Sequence, residues 1–257
     1  DEKKSDYNWG VQDSVFFEHF FKFYETHLSN STKPFFATLA TIHSHFPFNY
    51  SEKNRPIYHD PSSFQMRYAN GLNILDTGIQ TFFEEFNKRP ELKNTIIIIT
   101  GDHGFPLGEH GNFNLESGYH EESFRVPLYM LWSGVLTPQK ITRASSQMDI
   151  GPTLFDLLNL PSFNTHFAGN SVFSKKEAPI YLIQPYVKHL SIINYPIKYR
   201  YNTRLDKDYA YHLKNDPMEE KNIIQTLSND QKLFFRQQLK HIYLNDLAIK
   251  QNQIWSN

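Results

Sequence analysis

Cysteine is absent from the 257 residues of this chain, so no disulfide stabilises it and no thiolate can act as its nucleophile. An oxidising compartment is therefore permitted but not demonstrated. The chain also lacks an apolar run of about 18 residues, the length needed to span a membrane as a helix. No secretory signal opens it, and it begins at Asp1 with charged residues rather than with Met. We interpret it as a fragment or a processed product.

A surplus of positive charge is also absent, because 26 basic residues face 27 acidic ones and give a net charge of -1. That balance argues against nucleic acid as a partner, since nonspecific binding needs a dense basic surface. Neither a glycine-rich phosphate loop nor a Gly-x-Ser-x-Gly elbow occurs, so nucleotide-binding folds and serine hydrolases lack support. Aromatic residues are abundant, with 22 Phe and 15 Tyr. A packed core is therefore expected over most of the chain.

Up to about residue 178, helical periodicity alternates with short apolar runs. The best-defined run is Thr95 to Thr100, a β-branched stretch without polar alternation that is typical of a central parallel strand. The predicted strands are residues 35–42, 95–100 and 126–132. The predicted helices begin at Asp13, at Asp60 with Pro61, and at Asp149 before Ile150. The sequence therefore predicts an α/β fold, a doubly wound and mostly parallel sheet flanked by helices.

After about Pro179 the pattern changes to short, alternating, Tyr-rich segments that are typical of an antiparallel sheet. A last helix is predicted after Ser228, with Gln231 placed to complete a capping box. We therefore predict two domains. Residues 1–178 would form the α/β catalytic domain, and residues 179–257 a small α+β subdomain made of an antiparallel sheet and a helix.

Polar side chains follow two of the predicted strands, where ligands bind in open parallel sheets. Asp102 and His103, between Gly101 and Gly104, come directly after the strand that ends at Thr100. One carboxylate oxygen and one imidazole nitrogen suit Mn or Zn better than calcium, which prefers oxygen ligands alone. The flanking glycines would let the backbone turn sharply. Asp102 can equally serve as a helix cap, and two ligands do not complete a metal site.

The histidines offer further candidates. His45 follows the predicted strand ending near Ile42 and can donate to an anionic phosphoryl or sulfuryl oxygen, or else pack within its aromatic turn. His43 alternates with it and is interpreted as structural. His120 is a second candidate, whereas His110 is interpreted as a solvated loop residue and Glu121–Glu122 as part of a solvated, ion-paired face.

Four segments, taken in order, resemble the sulfatase-like enzymes of the alkaline phosphatase superfamily. They are TIIIITGDHGFPLGEHG at 95–111, FRVPLYMLW at 124–132, MDIGPTLFDLLNLP at 148–161 and YHLKNDPMEEKNI at 211–223. SHFPF at 44–48 is similar to the His-Tyr-Pro-Phe turn of lipoteichoic acid synthases and related phosphoglycerol transferases. Trp9-Gly10-Val11-x-Asp13 also resembles that branch.

The resemblance implies that Asp102 and His103 bind a divalent metal, Mn or Zn, with Mg or Ca as alternatives. It implies that His45 and His120 contact the substrate and take part in catalysis. The implied reaction is phosphoglycerol-type transfer or phosphodiester cleavage through a covalent Thr or Ser intermediate. The implied substrate is an anionic lipid headgroup or a phosphate or sulfate ester. The enzyme would be extracytoplasmic, at the outer face of the bacterial cytoplasmic membrane (the periplasm), held there by a segment outside this chain.

The sequence departs from the family pattern before His45. In the family, the nucleophile and one or two acidic ligands precede the His-x-Pro turn, and no Cys-x-Pro-x-Arg pattern or metal-bound Thr is evident here. We therefore expect the N-terminal part of the catalytic domain to be missing from this chain. Two alternatives stay open: a true sulfatase, and a catalytically inactive domain that binds anionic lipid or glycan.

Overall fold

The structure is a computed structural model that describes residues 10–48, 56–161, 167–175, 178–184, 186 and 188–253. These residues divide into two compact units, one within 1–98 and 130–136, the other within 99–129 and 137–257. Trp9, part of the resemblance, lies outside the described ranges. Within those ranges four α-helices and six strands form. They are α1 (Asp13–His27), α2 (Phe64–Asn87), β1 (Ile97–Thr100), β2 (Leu128–Leu131), α3 (Ile150–Leu157), β3 (Ile180–Gln184), β4 (His189–Asn194), β5 (Ile197–Asn202), β6 (Lys207–His212) and α4 (Asn229–Lys250).

Aromatic side chains join the two helices of the first unit. Phe17 and Phe21 of α1 are buried, and each has its ring centroid 5.3 Å from that of Phe82 on α2. The predicted start of α2 at Asp60 is wrong by several residues. Ser63 is the N-cap, and its side chain accepts a hydrogen bond from the backbone N–H of Met66. A serine oxygen that satisfies a free helical N–H defines the helix start more strongly than a proline does.

The predicted strand at residues 35–42 does not form. A strand requires a neighbouring strand to pair its backbone groups, and in the described part of the chain the only sheets are β1–β2 and β3–β6. At the end of the segment, the side chain of Asp13 pairs the backbone N–H groups instead of a neighbouring strand. Its carboxylate accepts the backbone N–H of Ile42 at 2.9 Å and that of His43 at 3.3 Å.

The two remaining strand predictions of the first domain are confirmed in shorter form. β1 and β2 lie within the predicted runs 95–100 and 126–132 and pair with each other. The three isoleucines of β1 are partly buried and Thr100 at its end is exposed. The β-branched run therefore ends directly before the segment that contains Asp102.

The C-terminal antiparallel sheet is confirmed, with strand order β3-β4-β5-β6. α4 begins with the predicted capping box of Ser228 and Gln231, and its Phe235 ring stacks on Tyr199 of β5 at 5.1 Å. The sequence prediction missed β5, because buried Lys198 and Arg200 interrupt its apolar pattern. The domain boundary after residue 178 remains a proposal. Among the described helices, none combines the length and the apolar character needed to cross a membrane.

Candidate metal and active site

Asp102 and His103 lie in an open loop directly after β1. Their side chains are 87% and 43% exposed, so both are accessible to an ion and a substrate. The loop is nevertheless held in place, because the side-chain amide of Gln147 donates to the backbone oxygens of Gly101 at 2.7 Å and of Asp102 at 2.8 Å. An accessible pair on a fixed backbone is the arrangement that a metal site requires.

The hydrogen bonds of this pair leave one donor atom available on each side chain. His103 Nδ1 lies 2.8 Å from the backbone oxygen of Gly104, which only accepts, so the ring proton resides on Nδ1 and the lone pair on Nε2. Asp102 Oδ1 accepts the backbone N–H of His103 at 2.9 Å, while Oδ2 lies 3.5 Å from His103 Nε2. Bonds of about 2 Å from both atoms to one ion fit this separation with a small adjustment. The residues present therefore fit a divalent metal.

The glycines around this pair serve close packing rather than a left-handed turn. Gly101 and Gly104 are not among the glycines with positive φ, so the expectation that they relieve a sharp turn is wrong. A Cβ on Gly104 would lie 2.3 Å from the backbone oxygen of Glu122, and a Cβ on Gly101 would lie 2.9 Å from Val126. The absence of a side chain lets the metal loop lie directly against the segment before β2.

His45 lies in the first unit, in a turn that begins after Ile42. Its backbone N–H donates to Ile42 at 2.9 Å, and its Nδ1 lies 2.5 Å from the backbone oxygen of Phe46. His45 is exposed, and the buried Phe48 packs edge to face on Phe64 in the same region. His45 is therefore accessible to solvent, as contact with a substrate requires.

A buried contact between a histidine and an aspartate lies at the start of that turn. His43 Nδ1 lies 3.0 Å from Asp13 Oδ2, and both side chains are buried. Gly71 of α2 lies so close that a Cβ there would be 2.4 Å from the backbone oxygen of His43. The interpretation of His43 as a structural residue agrees with this burial, and Asp13 acquires the same structural role.

His120 lies in the second unit, in contact with His110. The two rings are face to face, with centroids 3.7 Å apart and planes at 16°. His110 Nε2 lies 2.6 Å from the backbone oxygen of Met218, and its Nδ1 lies 2.9 Å from Glu122 Oε1. Because both acceptors carry no proton, both nitrogens of His110 are donors and the ring is an imidazolium. His110 is exposed as a residue, as interpreted, although these two contacts hold its ring in place, and the interpretation of Glu122 as ion-paired agrees with its contact to His110.

The two stacked rings hold different charges. Burial alone would lower the pKa of His110, but its bonds to Glu122 and Met218 and the charge of Glu219 raise the pKa above its ordinary value. Burial lowers the pKa of His120 to about 3, and the positive charges of His110 and Arg200 contribute to that shift. His120 is therefore neutral near pH 7. In the described part of the chain, no hydrogen bond engages its ring nitrogens.

His110, His120 and Glu122 could be suspected of forming a second metal site, because one donor atom of each lies within 4.8 Å of the others. The direction of the lone pairs argues against it. Lone pairs lie in the plane of an imidazole ring, and two rings stacked at 3.7 Å and 16° have no common in-plane point for one ion. This cluster therefore holds a proton between Glu122 and His110 rather than an ion.

Charged residues of the C-terminal sheet, which the sequence analysis missed, complete this cluster. Lys198 of β5 is fully buried between Glu121 at 2.9 Å and Glu219 at 3.0 Å. Arg200 lies between the rings of Tyr119 and Tyr209, 4.0 and 4.1 Å from their centroids. The Asp-Pro-x-Glu sequence that ends at Glu219 was the available signal, since it belongs to the resembling segment at 211–223.

Comparison with known proteins identifies the family. The family model described as Sulfatase matches residues 1–160, more than half of the chain, so this chain belongs to the sulfatase family. A lipoteichoic acid synthase-like protein of Bacillus subtilis is 25% identical over 190 residues, which are 69% of this chain and 30% of that protein. The chain thus spans less than a third of that relative.

Solved structures show what the fold of this chain is similar to. A superfamily protein from Vibrio parahaemolyticus has a TM-score of 0.75 at 21% identity, over 98% of this chain and 57% of that one. The lipoteichoic acid synthase LtaP from Listeria monocytogenes has a TM-score of 0.73 at 18% identity, over 95% of this chain and 60% of that one. These likenesses confirm the predicted α/β fold class with its C-terminal antiparallel sheet. Enzymes of this family are generally metal-dependent, which agrees with the donor atoms of Asp102 and His103.

Proposed function

We propose that this chain forms the metal-binding part of a phosphoryl transferase or phosphodiesterase of the phosphoglycerol-transfer type. The observation that carries the proposal is the exposed pair of Asp102 and His103, whose Oδ2 and Nε2 atoms lie 3.5 Å apart on a fixed loop. The lipoteichoic acid synthase-like relative in Bacillus subtilis and the Listeria monocytogenes synthase support the choice of reaction.

The metal that fits this pair best is Mn or Zn. An imidazole nitrogen combined with a carboxylate oxygen is a mixed donor set, which Mg and Ca accept less readily because they prefer oxygen alone. When bound, such an ion would polarise the phosphoryl group and lower the pKa of a Thr or Ser hydroxyl. In this proposal that hydroxyl and the remaining ligands belong to polypeptide outside the given sequence.

The chain's own residues then have distinct roles. Asp102 and His103 hold the metal, and His45, whose Nδ1 donates to Phe46, can donate from Nε2 to an anionic oxygen when its ring is protonated. His120, with a pKa lowered to about 3, can orient an oxygen through its ring N–H but does not supply a proton near pH 7. We therefore assign His120 an orienting role in the proposed reaction.

The proposed reaction has two steps. In the first, the Thr or Ser hydroxyl loses its proton and its oxygen bonds to phosphorus, while the bond from phosphorus to the leaving oxygen breaks and that oxygen takes up a proton as the alcohol departs. In the second, the oxygen of water or of an acceptor alcohol bonds to phosphorus and loses its proton, while the bond from phosphorus to the Thr or Ser oxygen breaks and that oxygen takes up a proton to restore the hydroxyl. Water gives a phosphodiesterase and an acceptor alcohol gives a transferase.

The proposed substrate is an anionic lipid headgroup that carries a phosphodiester. Such a substrate would place the enzyme outside the cytoplasm, at the outer face of a bacterial cytoplasmic membrane. Membrane association would come from a segment outside this chain. With 26 basic and 27 acidic residues, the chain offers no charge surplus for nucleic acid.

A sulfatase is the second candidate, and the family model that matches residues 1–160 favours it directly. In true sulfatases the pair that corresponds to Asp102 and His103 is usually Asp-Asn with calcium. An imidazole in the second position therefore supports phosphoryl transfer. The two candidates differ in both substrate and metal, so one set of assays separates them.

The test uses the complete protein that contains this chain, stripped of metal and reloaded with Mn or Zn. We expect the reloaded protein to cleave an aryl phosphodiester faster than an aryl sulfate. We also expect Asp102→Ala and His103→Ala to lose stoichiometric metal, while the control Asp76→Ala, an exposed carboxylate on α2, retains it. Unchanged metal content in both site variants would refute the ligand assignment, and a preference for the aryl sulfate would support the sulfatase.

A further inference from the structure

Two consecutive residues of the C-terminal subdomain hold the segment that follows the metal loop. The backbone oxygen of Met218 accepts His110 Nε2 at 2.6 Å, and Glu219 Oε2 accepts the backbone N–H of Glu121 at 2.6 Å. Glu219 is only 3% exposed. Its φ of 52° lies in the left-handed region, which a glutamate occupies at an energetic cost. That conformation persists because the contacts on both sides require it.

A buried cation ties Glu219 and Glu121 together. Lys198 Nζ lies 2.9 Å from Glu121 Oε1 and 3.1 Å from Glu219 Oε2, and Lys198 is fully buried. Burial raises the pKa of Glu219, and the positive charge of Lys198 partly offsets this rise. The position of Glu121 is therefore fixed both through its backbone and through its side chain.

The backbone that Glu219 holds is the one on which the metal loop rests. The N–H of Gly104 donates to the backbone oxygen of Ser123 at 3.1 Å. The backbone oxygen of Gly104 accepts His103 Nδ1 at 2.8 Å, and that bond sets the tautomer and direction of the ring. A continuous series of contacts therefore runs from Glu219 to Glu121, along the backbone to Ser123, and then to Gly104 and His103.

We propose that Glu219 is a positioning residue for His103. By holding the amide of Glu121 and pairing with Lys198, it fixes the backbone of residues 121–123 against which Gly104 presents its carbonyl to His103. The C-terminal sheet is thereby part of the metal centre although it supplies none of the proposed ligands. This inference rests on the proposed function in taking His103 as a metal ligand.

The experiment measures the Kd of Zn and Mn by competition with a chromophoric chelator, in the complete protein. We expect Glu219→Ala to weaken metal binding by about 10- to 100-fold, as is typical when a residue that orients a metal-binding histidine is lost. The matched control is Glu220→Ala, because Glu220 is the adjacent glutamate and is exposed. Equal Kd values for Glu219→Ala and Glu220→Ala would overturn the proposal.

A second variant covers the case in which Glu219→Ala does not fold. Glu219→Asp keeps the charge beside Lys198 but withdraws the carboxylate from the amide of Glu121 by about one methylene, roughly 1.5 Å. We expect it to fold and to bind metal several-fold more weakly than the unsubstituted protein. A Kd equal to that of the unsubstituted protein would again overturn the proposal.

Nitrogen NMR of the histidine rings in metal-free protein gives a readout that does not depend on metal. We expect His103 to be a single Nδ1–H tautomer in the unsubstituted protein and in Glu220→Ala, and a mixture of tautomers in Glu219→Asp. An unchanged tautomer in Glu219→Asp would contradict the positioning role. Failure of the proposed function would look different, because the unsubstituted protein itself would then bind no metal or cleave no phosphodiester.

Discussion

The imidazole ring of His110 lies face to face with the ring of His120, with 3.7 Å between their centroids. His110 is positively charged because it donates to Glu122 and to Met218, whereas His120 is neutral, with a pKa lowered to about 3. Two like groups whose pKa values are pushed apart can perform different tasks at one pH. Here one histidine carries a fixed charge and the other offers a neutral ring.

Removal of the charge on His110 is expected to raise the pKa of His120. The His110→Gln variant abolishes the adjacent imidazolium, whereas burial continues to hold the pKa of His120 below its ordinary value. The measurement is an NMR titration of the His120 ring. His241→Gln, at an exposed position on α4, serves as the control. A His120 pKa that is unchanged by His110→Gln would show that the two rings do not interact electrostatically.

Stability is expected to rise with pH between about 4 and about 6.5, the ordinary pKa of histidine. Burial and the charge of Arg200 lower the pKa of His189 to about 4, so in this window the unfolded chain binds a proton that the folded chain does not. The lowered pKa of His120 likewise makes stability rise with pH, whereas the raised pKa of His110 makes stability fall as pH rises. Urea unfolding measured across this pH window gives the slope.

The variant His189→Gln is expected to reduce that slope. Its amide oxygen can still accept from Asn202, whose Nδ2 lies 3.1 Å from His189 Nε2. The exposed His241→Gln is the control and should keep the full slope, because position 241 is not buried. An equal change of stability with pH in both variants would show that His189 does not cause the slope.

His45→Ala is expected to keep the metal and lose turnover in the complete protein. His45 is exposed and lies outside the proposed metal ligands, so its truncation is expected to leave the metal in place. Loss of one donor to a transition-state oxygen typically lowers kcat by about 10²–10³. Metal analysis and steady-state kinetics on the same preparation separate the two effects. Full activity would assign His45 to structure alone.

Gly104→Ala is expected to destabilise the protein and weaken metal binding together. The added Cβ would lie 2.3 Å from the backbone oxygen of Glu122 and 3.0 Å from the N of Phe124, so backbone must move. Overpacking of this kind typically costs about 1–3 kcal/mol. Gly10→Ala is the matched control, since its Cβ would meet only Ile42 at 3.5 Å. Thermal unfolding and metal titration measure the two effects. Equal stability and equal metal affinity of the two variants would show that the close packing of Gly104 against Glu122 is unimportant.

Local signals in the sequence found the elements whose causes are local. The β-branched run before Thr100 predicted β1, and Ser228 with Gln231 predicted the start of α4, because a cap depends on residues three apart. The segment at 35–42 had the same apolar character as β1, yet it forms no strand, because pairing requires a partner strand that no local pattern reveals. The sequence analysis missed β5 because a lysine is not expected in a buried strand. Lys198 is buried there because it pairs with glutamates in distant segments.

The sequence by itself determined the fold class, the family resemblance and the candidate pair Asp102 and His103, because motif, spacing and order along the chain carry that information. Only the tertiary structure decided which histidine carries charge and which glutamate holds the metal loop. His110 meets Met218 across 108 residues, and Glu121 meets Glu219 across 98. Protonation and position at such sites depend on burial and on charges brought together by folding, and neither can be read from neighbours in sequence.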